Sequence, residues 1–129
     1  MTGATASDLL LLDSSGWLEY ITADTKAAAV APFLEGARPQ LVPTIVLYEV
    51  YKKVIQIQGK TAADRFASQA LRQTIVALDS DLAFGAAKIS LNYRLAMADA
   101  IIYATALAHQ AELVTSDQAF SGLPGVTLL

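Results

Sequence analysis

Four acidic residues in this sequence stand where carboxylates could do chemistry. Asp13 follows a run of four leucines, Glu49 lies early in a long helical segment, Asp99 opens an almost wholly apolar helix, and Asp117 follows a short strand. If the four meet, they form an all-oxygen cluster without cysteine or histidine. Two unit charges about 4 Å apart repel by about 1 kcal/mol in water and about 4 kcal/mol near a protein surface, so such a cluster needs a cation.

The hard divalent cations Mg²⁺ and Mn²⁺ suit carboxylate ligands. A pair of such ions about 4 Å apart would activate a water molecule and stabilise the leaving oxygen of an in-line phosphodiester displacement. The ions would also let a chain with a net charge of −3 hold a polyanion. A general-base histidine is then not required, because a bound metal lowers the pKa of its own water.

Each acid taken alone also has a structural explanation. An aspartate after a strand commonly caps a helix or forms a turn, which fits Asp13 and Asp117. Glu49 could pair with a lysine on a solvated helix face, which is worth only about 0.3–0.5 kcal/mol. Asp99 could be an N-cap. Its helix, however, is apolar nearly all round, and a buried carboxylate must be paired, hydrogen-bonded or metal-bound.

The composition limits the class of protein. A chain of 129 residues with 54% hydrophobic and 16% charged residues makes one ordered domain. The absence of cysteine excludes disulfides, zinc thiolates and thiol nucleophiles and suits a reducing compartment, so we expect a cytoplasmic protein. The single histidine, His109, argues against a Ser-His-Asp triad. An excess of 12 acidic over 9 basic residues argues against nucleic-acid binding through bulk positive charge.

Neither a membrane span nor a secretion signal is expected. The most apolar stretch, residues 95–108, is interrupted by Asp99 and is shorter than the roughly 20 residues that a spanning helix needs. No basic residue precedes Asp8, and the leucine-rich run after it is too short for the core of a signal peptide.

Short apolar runs alternate with helical segments, which is typical of a parallel α/β sheet covered by helices on both faces. The patterns predict strands over residues 9–12, 41–42, 74–78, 112–115 and 125–129. They predict helices over residues 17–21, 25–34, 44–58, 61–73, 82–94 and 98–110, with Thr61 and Ser80 as N-caps of the fourth and fifth. Ligands of such sheets bind beyond the carboxyl ends of the strands, and there we expect the acids to gather.

Four segments resemble the motifs of PIN-domain ribonucleases and, more narrowly, of the VapC toxins of toxin–antitoxin pairs. The segments are LLDSS at residues 11–15, IVLYEV at 45–50, ADAIIYATA at 98–106 and LVTSDQAF at 113–120. The third and fourth, at this separation, are fairly specific, and the match extends over residues 9–120.

The resemblance implies a PIN-like three-layer sandwich, in which a central parallel sheet of about five strands is flanked by helices and residues 1–129 form a single domain. It implies an endoribonuclease that depends on Mg²⁺ or Mn²⁺. It also implies a homodimer, an RNA substrate and a cognate VapB-type antitoxin whose C-terminal segment would cover the site. Carried over residue by residue, it gives four metal-binding catalytic acids and nearby supporting hydroxyls, namely Asp13, Glu49, Asp99 and Asp117, with Ser14 or Ser15 and Thr115.

Two other classes stay open at this point. A PIN-fold module that binds a partner without catalysis would keep the same acids. An Asp-phosphorylated receiver domain or haloacid-dehalogenase-type phosphatase would fit the length and the α/β alternation. The dehalogenase motif, however, needs a second aspartate where Ser15 stands, and no lysine follows Arg94 to neutralise a phosphoryl group.

Overall fold

Five short strands and six α-helices alternate along residues 8–129, which are the residues that the computed structural model describes. The strands are β1 (Leu10–Leu12), β2 (Leu41–Pro43), β3 (Thr74–Val76), β4 (Glu112–Thr115) and β5 (Val126–Leu128). The helices are α1 (Ser14–Ile21), α2 (Ala27–Glu35), α3 (Thr44–Gln58), α4 (Lys60–Ala70), α5 (Ser80–Tyr93) and α6 (Met97–Ala108), and a 3₁₀ turn spans Gln118–Phe120. The expectation of no secretion signal concerns residues 1–7, which lie outside this range.

All strand pairs in this range are parallel. β1 pairs with β4 and β4 with β5, whereas β2 pairs with β3. One isolated bridge from Leu10 to Gln40 places β2 beside β1, and the Leu10 N–H donates to the Pro39 carbonyl at 3.0 Å. The strand order is therefore β3-β2-β1-β4-β5. This order confirms the predicted parallel sheet of about five strands. The hydrogen-bonded pairing between β1 and β2, however, is limited to a single bridge.

The interior is built from the apolar runs of the sequence. The three leucines of β1 have no exposed surface, because this strand lies in the middle of the sheet. Residues 100–106 of α6 are all buried, as an almost continuous apolar helix requires. Trp17 of α1 packs edge-to-face against Phe66 of α4, with ring centroids 5.1 Å apart. Every helix in residues 8–129 is too short or too polar to cross a membrane.

The predicted elements are confirmed in type, but three of the expected N-caps are wrong. α4 begins at Lys60 directly after Gly59, so Thr61 lies inside the helix. Asp79 caps α5 by accepting a hydrogen bond from the Leu82 N–H at 2.9 Å, which leaves Ser80 as the first helical residue. Asp99 lies in the first turn of α6 and does not cap it. Each of these helices begins one or two residues before its predicted range, at Lys60, Ser80 and Met97.

Gly16 lets α1 leave β1 in a sharp turn. A Cβ atom at this position would lie 2.4 Å from Cδ1 and 2.8 Å from Cγ of Leu12. Leu12 is completely buried and cannot swing away. The glycine therefore permits a contact between strand and helix that any other residue would push apart.

We expect Gly16→Ala to destabilise the fold by about 1–3 kcal/mol, as is typical of overpacking, when unfolding is followed in urea. Gly85→Ala is the matched control, because Gly85 lies within α5 and an added Cβ there meets nothing within 4 Å. Alanine should stabilise that helix by up to about 1 kcal/mol. Equal effects of the two substitutions would contradict the role given to Gly16.

Candidate active site

Asp13 lies at the carboxyl end of β1, and only 2% of its surface is exposed. It is the N-cap of α1, because its Oδ1 accepts a hydrogen bond from the Gly16 N–H at 3.0 Å. The capping explanation is therefore correct for this residue. It is also incomplete, because a carboxylate has about four acceptor positions and one cap bond uses only one of them.

Hydroxyl groups from two segments hold the rest of the Asp13 carboxylate. Ser15 Oγ lies 2.9 Å from both carboxylate oxygens, and the Thr115 hydroxyl donates to Oδ2 at 2.7 Å. Burial raises the pKa of Asp13, the hydrogen bonds from Thr115, Gly16 and Ser15 lower it, and the charge of Asp117 raises it, with a net upward shift. The side chain is thus held in one orientation within an environment that opposes its ionisation.

Thr115 joins the first and last of the four candidate acids, Asp13 and Asp117. It is fully buried at the end of β4, which runs beside β1. While its hydroxyl donates to Asp13, it also accepts the Asp117 N–H at 2.9 Å. Asp117 in turn caps the 3₁₀ turn by accepting the Ala119 N–H at 2.9 Å. The expected turn role of Asp117 is therefore correct, and the same turn places it next to Asp13.

Glu49 is half-buried in the second turn of α3. Its Oε1 accepts a hydrogen bond from the Ser14 hydroxyl at 2.6 Å. This contact joins α3 to the first residue of α1. The Glu49 carboxylate is thus held by a serine near Asp13 and not by a lysine on its own helix.

Asp99 is affected by all three of the other acids. Its half-buried carboxyl has a pKa of about 6, raised first by burial and then by the charges of Asp117, Asp13 and Glu49. Coulomb interactions between half-buried groups weaken with distance, so these acids must lie near Asp99. The fold therefore brings the four sequence-predicted acids into one electrostatic environment.

The four acids do not form a closed set of metal ligands in this conformation. Among residues 8–129, no three acidic or histidine side chains are arranged closely enough to hold a metal ion. The hydrogen bonds explain this spacing, because the carboxylates of Asp13, Glu49 and Asp117 are each turned towards a donor of a neighbouring residue. The donor set, made of carboxylate and hydroxyl oxygens, fits Mg²⁺ or Mn²⁺ in its chemistry. Binding would require some of these side chains to rotate.

Two further residues, which the sequence places beside the candidate acids without giving them a role in catalysis, complete this site. Ser116 donates a hydrogen bond to Ser15 at 3.2 Å, which adds a second link between the segments that follow β1 and β4. Gly16 supplies the N–H that fixes Asp13. The glycine had a signal, since it directly follows the capping triplet of residues 13–15. Ser116 was recognisable only as a hydroxyl beside Asp117, and its contact with Ser15 had no signal in the sequence.

Comparison with known proteins places this arrangement in a family. The model of the PIN domain matches residues 10–126. No curated protein sequence matches the chain.

Solved structures agree in fold. A toxin–antitoxin complex from Klebsiella pneumoniae is 26% identical, with a TM-score of 0.77, and the match covers 92% of this chain and 95% of that one. Mycobacterium tuberculosis VapC20, a toxin that cleaves the sarcin-ricin loop, is 18% identical, with a TM-score of 0.75 and coverage of 89% and 95%. VapBC2 from Rickettsia felis, bound to promoter DNA, is 18% identical, with a TM-score of 0.70 and coverage of 94% and 97%. The fold has five parallel strands flanked by helices, and the family model matches nearly the whole chain. The chain therefore belongs to the PIN domain family.

Proposed function

We propose that this chain is a VapC-type toxin, an endoribonuclease that hydrolyses RNA phosphodiester bonds with the help of Mg²⁺ or Mn²⁺. The observation that carries the proposal is the environment of Asp99. Its pKa is raised to about 6, first by burial and then by the charges of Asp117, Asp13 and Glu49. A half-buried Asp99 carboxylate with three other acidic side chains near it is costly to ionise, and a divalent cation is the chemistry that removes this cost.

The roles of the residues follow from their contacts. The carboxylates of Asp13, Glu49, Asp99 and Asp117 would hold the cation. When bound, such a cation supplies water activation and stabilisation of the leaving oxygen. Thr115 and Ser15 orient Asp13 by donating hydrogen bonds to it, and Ser14 does the same for Glu49.

The partners and extent of the protein belong to the same proposal. A cognate antitoxin is supported by the structural relatives, which include toxin–antitoxin complexes from Klebsiella pneumoniae and Rickettsia felis. We also propose that residues 1–129 form a single PIN domain, that the chain is a homodimer, and that it acts on RNA in the cytoplasm. An acidic site needs a cation to approach RNA phosphates, which accords with a chain poor in basic residues.

The family match excludes one of the two alternative classes of protein and leaves the other. Membership in the PIN family removes the Asp-phosphorylated receiver or phosphatase. A non-catalytic PIN module is still an alternative, but it gives no reason for a half-buried carboxyl to face three others. Metal-dependent cleavage separates the module from the nuclease.

The direct test is Asp99→Asn, assayed on total bacterial RNA with Mn²⁺. We expect the wild-type chain to cleave RNA, EDTA to stop cleavage, and the variant to be inactive. Asparagine has nearly the same volume as aspartate but lacks the negative charge that would bind the cation. Asp8→Asn, at an exposed acid outside the site, should cleave like the wild type. Cleavage by Asp99→Asn at the wild-type rate, or unchanged cleavage in EDTA, would contradict the proposal.

The stability of the metal-free chain should depend on the ionisation of Asp99. The pKa is about 6 in the folded chain, above its ordinary value of 3.8, so the folded state binds the proton more tightly than the unfolded state. Stability should therefore fall as the pH rises from about 4 to about 6. Asp99→Asn should be more stable than the wild type by about 1 kcal/mol above pH 6, less than the full shift implies because water screens a half-buried group.

This advantage of Asp99→Asn should vanish as the pH falls below 3.8, where the wild-type carboxyl becomes protonated in the unfolded state as well as in the folded state. Urea unfolding in EDTA at a series of pH values measures it, with Asp8→Asn as the control. An advantage that does not change with pH would show that the charge of Asp99 is not its cause.

Adding Mn²⁺ should stabilise the folded chain by ligand linkage. A concentration about 100 times Kd contributes about 2.7 kcal/mol, which corresponds to a rise of several degrees in Tm for a domain of this size. Asp99→Asn should lose most of this rise. A Tm that is unaffected by Mn²⁺ in the wild type would count against a cation site in the free protein.

A further inference from the structure

A groove leads away from the acidic site between α1 and α3. It has a volume of about 440 Å³, and its walls include Ser15 and Glu19 of α1 and Lys53 and Ile57 of α3. The hydroxyl of Ser15 lies 2.9 Å from both carboxylate oxygens of Asp13. One wall residue of the groove is therefore part of the candidate active site, and the groove begins beside the acids.

Two hydrogen bonds join the helices on either side of this groove. Near the start of both helices, the Ser14 hydroxyl donates to Glu49 at 2.6 Å. At their last residues, the side-chain amide of Gln58 donates to the Ile21 carbonyl at 3.4 Å. The two helices therefore run side by side in the same direction, and Lys53 lies on α3 between these two contacts.

Lys53 stands one helical turn from Glu49 and has an unpaired charge. Residues four apart on a helix share a face and are separated by about 6 Å along its axis. A glutamate and a lysine at this spacing often form an ion pair, but here Glu49 is held by Ser14. Within the part of the chain that the structure describes, the exposed Lys53 ammonium has no hydrogen-bond or ion-pair partner.

The acids on the opposite wall of the groove are engaged with the backbone. Glu19 accepts the Lys26 N–H at 3.1 Å, and Asp24, which also lines the groove, accepts the Thr25 N–H at 2.7 Å. Both carboxylates thus hold the turn that follows α1. The positive charge of Lys53 is therefore available to an anion, and the negative charge of the α1 side favours placing that anion against α3.

Basic side chains are scarce in this chain, and several are engaged elsewhere. Of nine lysines and arginines, three have polar contacts of their own, namely Lys26 with the Leu129 carbonyl, Arg38 with Glu112 and Lys60 with Asp64. Lys52, the neighbour of Lys53, lies over the ring of Tyr48, with its Nζ atom 5.4 Å from the ring centroid. Lys52 therefore points to a different face of α3 and provides a comparison for Lys53.

We propose that Lys53 binds a phosphate of the RNA strand next to the one that is cleaved, and that the groove holds the strand on this side of the acids. The inference rests on the proposed function, because it takes RNA as the substrate. Under that function the scissile phosphate lies at the acids, and Lys53 is one helical turn away. A lysine ammonium suits a phosphate that has to be held but does not react, because it acts as a point charge.

The first test compares the cleavage of total bacterial RNA in Mn²⁺ by the wild type and by Lys53→Gln over a range of RNA concentrations. We expect the apparent KM to rise about threefold to tenfold and kcat to change little, because the contacted phosphate does not react. Lys53→Arg keeps the charge and should restore most of the wild-type KM.

Lys52→Gln is the matched control, because it removes the same charge from the adjacent position on α3. Its KM should stay close to that of the wild type. Equal increases in KM for Lys52→Gln and Lys53→Gln would show that only the net charge matters and would overturn the inference. A fall in kcat alone for Lys53→Gln would also overturn it.

The second test measures RNA binding without cleavage. A labelled pool of short RNA of random sequence is titrated with Asp99→Asn, and fluorescence anisotropy gives Kd at a series of salt concentrations. Adding Lys53→Gln should reduce the slope of log Kd against log salt by about 0.7, the value for one phosphate contact on a single strand. Adding Lys52→Gln should leave the slope unchanged.

The outcomes separate this inference from the proposed function. A wild type that cleaves RNA, together with a Lys53→Gln variant of unchanged KM and salt slope, would overturn only the role of Lys53. A wild type that neither cleaves nor binds RNA would overturn both proposals. Weaker binding of an antitoxin by Lys53→Gln, with RNA binding unchanged, would assign the groove to the antitoxin and contradict the inference.

Discussion

The candidate site depends on one buried hydrogen bond between distant parts of the chain. The Thr115 hydroxyl donates to Asp13 at 2.7 Å, across 102 positions of sequence. The bond is possible because β1 and β4 run parallel as neighbours, so that their carboxyl ends meet. The same hydroxyl accepts the Asp117 N–H. The strand pairing, Asp13 and Asp117 are thus fixed together.

Electrostatic repulsion decides how the remaining acids are arranged around this bond. Each ionised carboxylate near Asp99 makes the ionisation of that group less favourable. Carboxylates that repel one another find hydrogen-bond donors elsewhere, as Glu49 does at Ser14. The site therefore balances proximity, which the sheet imposes, against separation, which like charges favour. This balance accounts for four acids that share one environment without forming a closed ligand cage.

Much of this organisation could be predicted from the sequence, because it depends on patterns that are local. Apolar runs and helical periodicity gave the order and type of the elements, and the sheet rule placed Asp13 and Asp117 at one edge. Helix starts were less predictable, as at Ser80, because neighbouring residues such as Asp79 and Ser80 cap helices about equally well. The contact between Ser116 and Ser15 was not predictable at all. It depends on how far the carboxyl ends of β1 and β4 are offset from each other along the strand direction.

The two roles of Asp13 affect how genetic data on this protein should be interpreted. Its carboxylate caps a helix and is also one of the four neighbouring acids, so under the proposed function a screen for loss of activity would recover both misfolded and inactive alleles at this codon. Within residues 8–129, no hydrogen bond contributes to the environment of the Asp99 carboxylate, which is set by burial and by the charges of the other three acids. Phenotypes at Asp99 would therefore report on chemistry, whereas those at Asp13 would mix chemistry with protein abundance.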